Sequence, residues 1–226
     1  MTDVACVLDV SRWQLPSRFN YDAAAKLYTG AYVRACYGDK PDKHCVEHVR
    51  GFRDAGLAVG LYLFYRASVN AVDQWHCFNA VADKVRYGPG DWCPACDIEN
   101  DGDSKVCPEW SGPAEIFVLA LEGQWGGSLI YCSRRDWVRL GSPEWLTQRA
   151  LWTPHWGVTE PATPGDMPWT MHQTGAEIVP DVYPYQLDQD LARLPVPVIP
   201  DVAAERRRIA GWIAETADQT IRSNRP

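Results

Sequence analysis

Short apolar runs rich in β-branched and aromatic residues recur along this chain. Helical patterns separate the early runs, while the later ones have less helix between them. That asymmetry constrains the fold more than any other feature. Strands are expected at 4–9 (VACVLD), 31–36 (AYVRAC), 58–64 (AVGLYLF), 92–98 (WCPACDI), 128–132 (SLIYC), 149–153 (RALWT) and 168–173 (PWTMHQ), with a last short one at 185–188 (YQLD). Helices are expected at 20–28, 41–56, 69–86 and 111–125; the second opens on Pro41 and ends at Gly56, the usual asymmetry of helix ends. Strand followed by helix, repeated, implies parallel strands with right-handed crossovers. The pattern therefore predicts an α/β fold, a closed or nearly closed barrel with a β-rich second half. At 226 residues it falls short of the roughly 250 of a full (β/α)8 barrel, so some helices must be short or missing.

Composition narrows the partners. A net charge of −7 argues against wrapping nucleic acid or attraction to anionic membranes by general electrostatics. No run is long and apolar enough for stable membrane insertion. The opening MTDVACVLDV lacks a basic stretch followed by an apolar one, so no secretory signal is expected and the chain is placed in the cytoplasm. Its eight cysteines are then expected to be reduced thiols used as small hydrophobes. Eleven Trp and ten Tyr are many for this length. Flat rings pack well on sugar faces, but most of these are expected in the core and its rim.

Two motifs suggest sulfur or metal chemistry, and neither is favoured. Cys93 and Cys96 form a C-x-x-C, but inside an apolar strand rather than at a helix N-terminus. Strand alternation sends the two thiols to opposite faces. The HCVEH stretch, His44 to His48, matches a short zinc-peptidase pattern with no evident third ligand. On an outer helix of a barrel it is expected to be a solvated face. No metal and no cofactor are expected.

The carboxylates offer more. Asp97 and Glu99 close a buried-looking strand in ACDIEN. Spaced by two, they point the same way with Cα atoms about 7 Å apart. Asp9 ends the first strand in VLDVSRWQ. In barrels, polar groups at the C-terminal strand ends form the active site, so these acids are expected to converge at one mouth. A lone acid there could simply cap a turn, but several together suit a glycosidic pair, one of which must stay protonated to act as general acid.

The ordered series DVSRWQ (9–14), YVRAC (32–36), AGLAVGLYLF (55–64), ACDIEN (95–100), LIYC (129–132), LWTPHW (151–156), MHQTG (171–175) and QLDQDL (186–191) resembles glycoside hydrolase family 25, the Chalaropsis-type lysozymes. The resemblance covers about residues 4–194. It implies a flattened, TIM-like (β/α)5(β)3 barrel and an N-acetylmuramidase that cuts the β-1,4 bond between N-acetylmuramic acid and N-acetylglucosamine in bacterial peptidoglycan. By motif it implies Glu99 as general acid and Asp97 as the group that orients an acetamido nucleophile or a water. Asp9 matches the opening acid, and Asp188 matches the late acid of a V-D-x-N-like element. Arg34, Tyr62, Tyr131, Trp152 and Gln173 match positions that line the groove. Leu63, His172 and Thr174 depart from the family pattern and bear on glycan preference. Such a domain, with no leader expected, suggests a phage or prophage endolysin. It would be held in the host cytoplasm before release to the periplasm or cell wall, or carried on a virion.

After the barrel, assigned to 1–194, LPVPVIP is a proline-rich, extended break. Beyond it one amphipathic helix is expected, with Asp201 as N-cap and a stripe through Val202, Ile209, Ile213, Thr216 or Ala217, and Ile221. Its Arg206, Arg207 and Arg208 could contact anionic envelope polymers. The alternative is that its apolar stripe packs on protein and the arginines are solvated. Two other functions stay open at this point: a catalytically silent glycan-binding barrel, and a zinc-dependent wall peptidase or amidase.

Overall fold

A computed structural model describes residues 4–100 and 104–200. The first strand, β1 (Val4–Val10), leads through the short helix α1 (Tyr21–Ala24) to β2 (Gly30–Tyr37). A two-residue strand, β3 (Lys40–Pro41), folds back on β2. Then follow α2 (Cys45–Asp54), β4 (Ala58–Phe64), α3 (Ala71–Lys84), β5 (Ala95–Asp97), α4 (Ser111–Trp125) and β6 (Leu129–Tyr131). Two short helices, α5 (Arg134–Arg139) and α6 (Glu144–Thr147), precede β7 (Ala150–Pro154). The chain then lays down β8 (Met171–Val179) and β9 (Tyr183–Arg193).

The sheet has nine strands in the order β1-β9-β8-β7-β6-β5-β4-β2-β3, and β1 also pairs with β2. The β1–β2 pairing closes a ring of eight strands, with β3 as an appendage. Every neighbouring pair from β1 through β2 and β4 to β8 is parallel. β9 alone runs the other way, antiparallel to β8 on one side and β1 on the other. Five strands are each followed by helix and three are not, so the expected α/β flattened, TIM-like (β/α)5(β)3 barrel is the fold observed.

Helix boundaries follow local chemistry. The Asn20 side chain caps α1 by accepting the Ala23 N–H, and Asn70 caps α3 by accepting the Val72 N–H. α4 ends where Gly126 takes φ +79°, a left-handed conformation that suits glycine. The helix expected over 20–28 shrinks to one turn, and the strand expected over 92–98 shrinks to 95–97. The last two strands instead exceed expectation, because β8 and β9 continue past the barrel wall as a long hairpin.

The barrel interior is filled, not hollow. Tyr32 packs on Trp152 with ring centroids 5.1 Å apart and donates to the Cys93 carbonyl at 2.9 Å. Gly60 makes this possible: a Cβ there would sit 2.3 Å from the Tyr32 ring. Gly30 does the same for the Trp92 ring, again at 2.3 Å. This aromatic layer forms the floor beneath the strand ends. The proline-rich segment, expected to be extended, instead opens with a bend at Leu194 and Pro195 across a cis peptide bond, and it is attached to the barrel. Cys93 N–H donates to Pro197 O, Ile199 N–H donates to Asp91 O, and Val196 and Ile199 are buried. The expected C-terminal helix, with Asp201 and Arg206 to Arg208, lies outside the described residues.

All eight cysteines are free thiols, and burial pushes Cys93 and Cys96 up, away from thiolate character. The HCVEH stretch requires a correction. Its helix was expected to present a solvated face, but His48 is fully buried. Its Nε2 meets the Gln14 carbonyl oxygen at 2.8 Å and its Nδ1 meets the Tyr21 hydroxyl at 3.0 Å. Both ring nitrogens are engaged, so the side chain ties α2 to the loop after β1 and has no lone pair left for a metal. Among the described residues no group of three or more His, Cys, Asp or Glu side chains is placed to hold a metal ion.

Candidate active site

The strand ends deliver acids to one cavity. Asp97 is the last residue of β5, and its carbonyl accepts the Tyr65 N–H at 2.9 Å. The next residue, Ile98, is fully buried and donates its N–H to Tyr131 O at 2.9 Å, which fixes the chain as it leaves the strand. Glu99 follows and turns back to the mouth. Asp9 lies near the end of β1, and in register it pairs directly with Asp188 of the antiparallel β9. A cavity of about 310 Å³ is lined by Asp9, Asp97, Glu99 and Asp188, together with Tyr62, Tyr131, Trp152, Trp156 and Gln173. That is the lower end of the size range for small-ligand sites.

Gln173 braces the site. Its Nε2 donates to Asp9 Oδ2 at 3.0 Å, while its Oε1 accepts from the Tyr131 hydroxyl at 3.0 Å and from Trp156 Nε1 at 3.1 Å. One amide thereby fixes an acid from β1, a phenol from β6 and an indole from the loop after β7. Trp152 sits deeper, edge-on to Tyr131 with centroids 5.1 Å apart, and donates Nε1–H to Asp190 Oδ1 at 2.7 Å.

The electrostatics follow from crowding acids in a partly dry cavity. Burial, then Asp136 and Asp188, push Glu99 up to about 7, against a lowering by Arg135. Burial and then Asp188 raise Asp9 to about 8, while hydrogen bonds from Gln173 and Asp190 pull it down. Asp97 is pushed well above the carboxylate range by burial and then by Glu99 and Asp9; Arg34 opposes this. Its Oδ1 is buried and has no hydrogen-bond partner among the described residues. The cluster therefore holds protons near neutral pH, as a general acid requires.

Eight of the nine residues singled out in the sequence line this cavity. Arg34 does not. Its guanidinium is buried against Asp42, with Nε and Nη2 each 2.9 Å from Oδ2, and it acts on the site only as a nearby positive charge. Sequence reasoning missed Trp156, Asp136 and Asp190. Asp136 is buried in the first turn of α5, held by the Ser133 cap at 2.6 Å, and it helps raise Glu99. Asp190 had a signal: it stands two residues from Asp188, the same spacing that links Asp97 and Glu99. Of the departures from family pattern, Leu63 and His172 are fully buried and line no part of the cavity.

A second, shallower groove of about 730 Å³ shares Trp156 and Asp188 with the acid cavity and runs along the β8–β9 hairpin. Its walls include Trp13, Leu15, Ile178 and Tyr185, all exposed. Exposed aromatic surface joined to a polar cavity suits a ligand with several flat rings in a row.

The sequence matches the family described as Glycosyl hydrolases family 25 over residues 8–182, more than half of the chain. Asp9, Asp97 and Glu99 fall inside that segment, whereas Asp188 and Asp190 lie beyond its end. No curated protein matches significantly by sequence. Among solved structures, the chain is similar to a bacterial lysozyme from Streptomyces coelicolor, with 21% identity, a TM-score of 0.72, and coverage of 96% of this chain and 100% of that one. It is also similar to a muramidase from Trichobolus zukalii, with 22% identity, a TM-score of 0.68, and coverage of 82% and 91%. A third is the catalytic domain of endolysin ply40 from Listeria monocytogenes bacteriophage P40, with 18% identity, a TM-score of 0.66, and coverage of 93% and 98%. At these identities the structural likeness establishes the fold.

Proposed function

The chain belongs to glycosyl hydrolases family 25 and is a glycoside hydrolase of the lysozyme type, and from that premise we propose that it cleaves the β-1,4 bond between N-acetylmuramic acid and N-acetylglucosamine in bacterial peptidoglycan through Glu99. The observation that carries this is the state of Glu99. It lies at the cavity wall, where burial and then the neighbouring Asp136 and Asp188 push it up to about 7. It can therefore give a proton to the leaving glycosidic oxygen at neutral pH.

The rest of the cluster divides the remaining tasks. Asp97 is buried deeper, and its partnerless Oδ1 can accept the N–H of a 2-acetamido group. That bond orients the acetamido carbonyl for attack on the anomeric carbon, a substrate-assisted route that retains the β-anomer. Proton NMR of freshly released product checks it; release of the α-anomer alone would exclude the route. Asp188 and Asp9 line the floor, and Tyr62, Tyr131, Trp152 and Gln173 hold the sugar. The groove along the hairpin receives further rings of the glycan strand. Arg34 acts from behind through its charge on Asp97.

The likeness to a phage endolysin domain supports a role as a phage or prophage endolysin, held in the host cytoplasm until release to the periplasm or cell wall. Lysis that requires a co-expressed membrane pore would support this placement, and lysis without the pore would oppose it. Contact of the C-terminal segment with the envelope is part of the same proposal. Deleting 201–226 should then weaken sedimentation with envelopes while leaving folding unchanged.

The activity itself is tested by digesting purified peptidoglycan with wild type and Glu99→Gln, EDTA present, and weighing the fragments after reduction. The expected products are muropeptides reduced at muramic acid, present with wild type and missing with the variant. Fragments reduced at glucosamine would contradict the bond assignment. Cleaved stem peptides on intact glycan would overturn the glycosidase reading, and no products at all would leave a binding barrel.

A further inference from the structure

Asp190 lies beneath the acid cavity and takes no part in lining it. It is 2% exposed. Strand register sets it beside Asp9. Asp188 pairs directly with Asp9, and Asp190 pairs with Val7 on one side and Gln173 on the other. Residues two apart on a strand share a face, so Asp190 points inward with Asp188 and Asp9.

Its two oxygens have different surroundings. Oδ1 accepts the indole N–H of Trp152 at 2.7 Å. Oδ2 is buried with no hydrogen-bond partner among the described residues, and the Asp9 carboxyl lies close enough that each acid shifts the other's proton affinity. Asp9 already accepts Gln173 Nε2–H at its Oδ2. Two neighbouring carboxylates in a buried site repel strongly, and the pair becomes attractive only when one carries a proton that the other can accept. The titratable groups that face Asp190 are Asp9 from β1, Asp188 from its own strand, Tyr32 from β2 and Tyr131 from β6; none of them is a cation. Nothing among them would stabilise a second negative charge.

We propose that Asp190 is a positioning residue that remains a neutral carboxylic acid and donates a hydrogen bond to Asp9, setting the orientation of that acid in the cluster. Asp190 is the member of the pair that keeps its proton, because it is the more deeply buried and Asp9 opens to the cavity. Burial and the neighbouring Asp9 both push it well above the carboxylate range. The role rests on the placement of Asp9 in the catalytic cluster, but the protonation state does not.

The geometry names its own conservative replacement. In Asp190→Asn the amide oxygen keeps the Trp152 bond, and the amide nitrogen donates to Asp9 where the acid proton did. Asp190→Leu has neither. The direct test is the infrared difference spectrum of wild type minus Asp190→Asn at pH 7. The expected result is loss of a protonated carboxylic acid C=O band. Loss of carboxylate bands instead would overturn the proposal, whatever the substrate proves to be. The second readout is kcat and KM on peptidoglycan, with melting temperature measured on each variant. Asp190→Asn should stay within roughly threefold of wild type, and Asp190→Leu should lose roughly 30-fold or more in kcat with KM little changed, in line with loss of an oriented buried hydrogen bond. An Asn variant as impaired as the Leu variant, both folded, would contradict donation by Asp190.

Discussion

The barrel builds its site from two arcs that work differently. In the parallel arc, β1, β2 and β4 to β7, acids sit where strands stop: Asp9 near the end of β1, Asp97 at the end of β5 and Glu99 just beyond it. Helices cover the outside of its first five strands. In the antiparallel arc, β8 and β9, no helix lies between the strands, and β9 runs against its neighbours. Its acids Asp188 and Asp190 therefore lie mid-strand, and its hairpin continues past the mouth to wall the aromatic groove. The parallel arc supplies the proton donor, while the antiparallel arc supplies the floor and the platform. Gln173 and Trp152 tie the two together.

That division can be broken from either side. The largest effect is expected at Glu99. Glu99→Gln should lower kcat by about 10³-fold, within the range for loss of a general acid, with the fold intact by circular dichroism. Next is the brace. Gln173→Leu releases Asp9, Tyr131 and Trp156 together and should cost about 10- to 100-fold in kcat/KM, because misplacement of reacting groups is expensive. A variant at wild-type activity would show that the two arcs do not need fastening. The hairpin should behave as a binding surface. Tyr185→Ala is expected to raise KM on long glycan by roughly three- to tenfold with kcat unchanged, and an equal effect on short fragments would place Tyr185 elsewhere in the reaction.

Stability should separate the site from its scaffold. Carboxyls raised by the fold bind protons more tightly folded than unfolded. Their contribution is fully present below about pH 4 and is lost as pH rises through about 7 for Glu99 and about 8 for Asp9. The melting temperature should therefore be higher at pH 5 than at pH 8, and Glu99→Gln should narrow that gap. Away from the mouth, His48→Ala should cost about 1–3 kcal/mol of stability by leaving buried partners unsatisfied, with kcat nearly unchanged.

The two arcs also differed in how legible they were. Strand–helix alternation marks the parallel arc because a strand such as β4 is buried on both faces and reads as an apolar run, so AVGLYLF was located to the residue at 58–64. Asp97 and Glu99 followed from that, since a polar pair ending an apolar run is visible in sequence. β9 gave a weaker signal. Over Tyr183–Arg193 its exposed and buried residues mix, and only 185–188 was expected as strand. Asp190 was missed for that reason, although it shares a face with Asp188. His48 was misjudged because a histidine beside the exposed charges Glu47 and Arg50 reads as polar surface, and only the tertiary fold places Gln14 and Tyr21 against it. Arg34 sits on an inward-reading strand, yet Asp42 from the following loop captures it.

The most direct test is the pH dependence of reducing-end release from peptidoglycan by wild type and Glu99→Gln between pH 5 and 8. The expected result is a wild-type rate that falls with rising pH around a midpoint near 7, the proton affinity set by burial, Asp136 and Asp188, and a variant about 10³-fold slower throughout. A variant close to wild type, or a wild-type rate that climbs through pH 7, would contradict Glu99 as the proton donor.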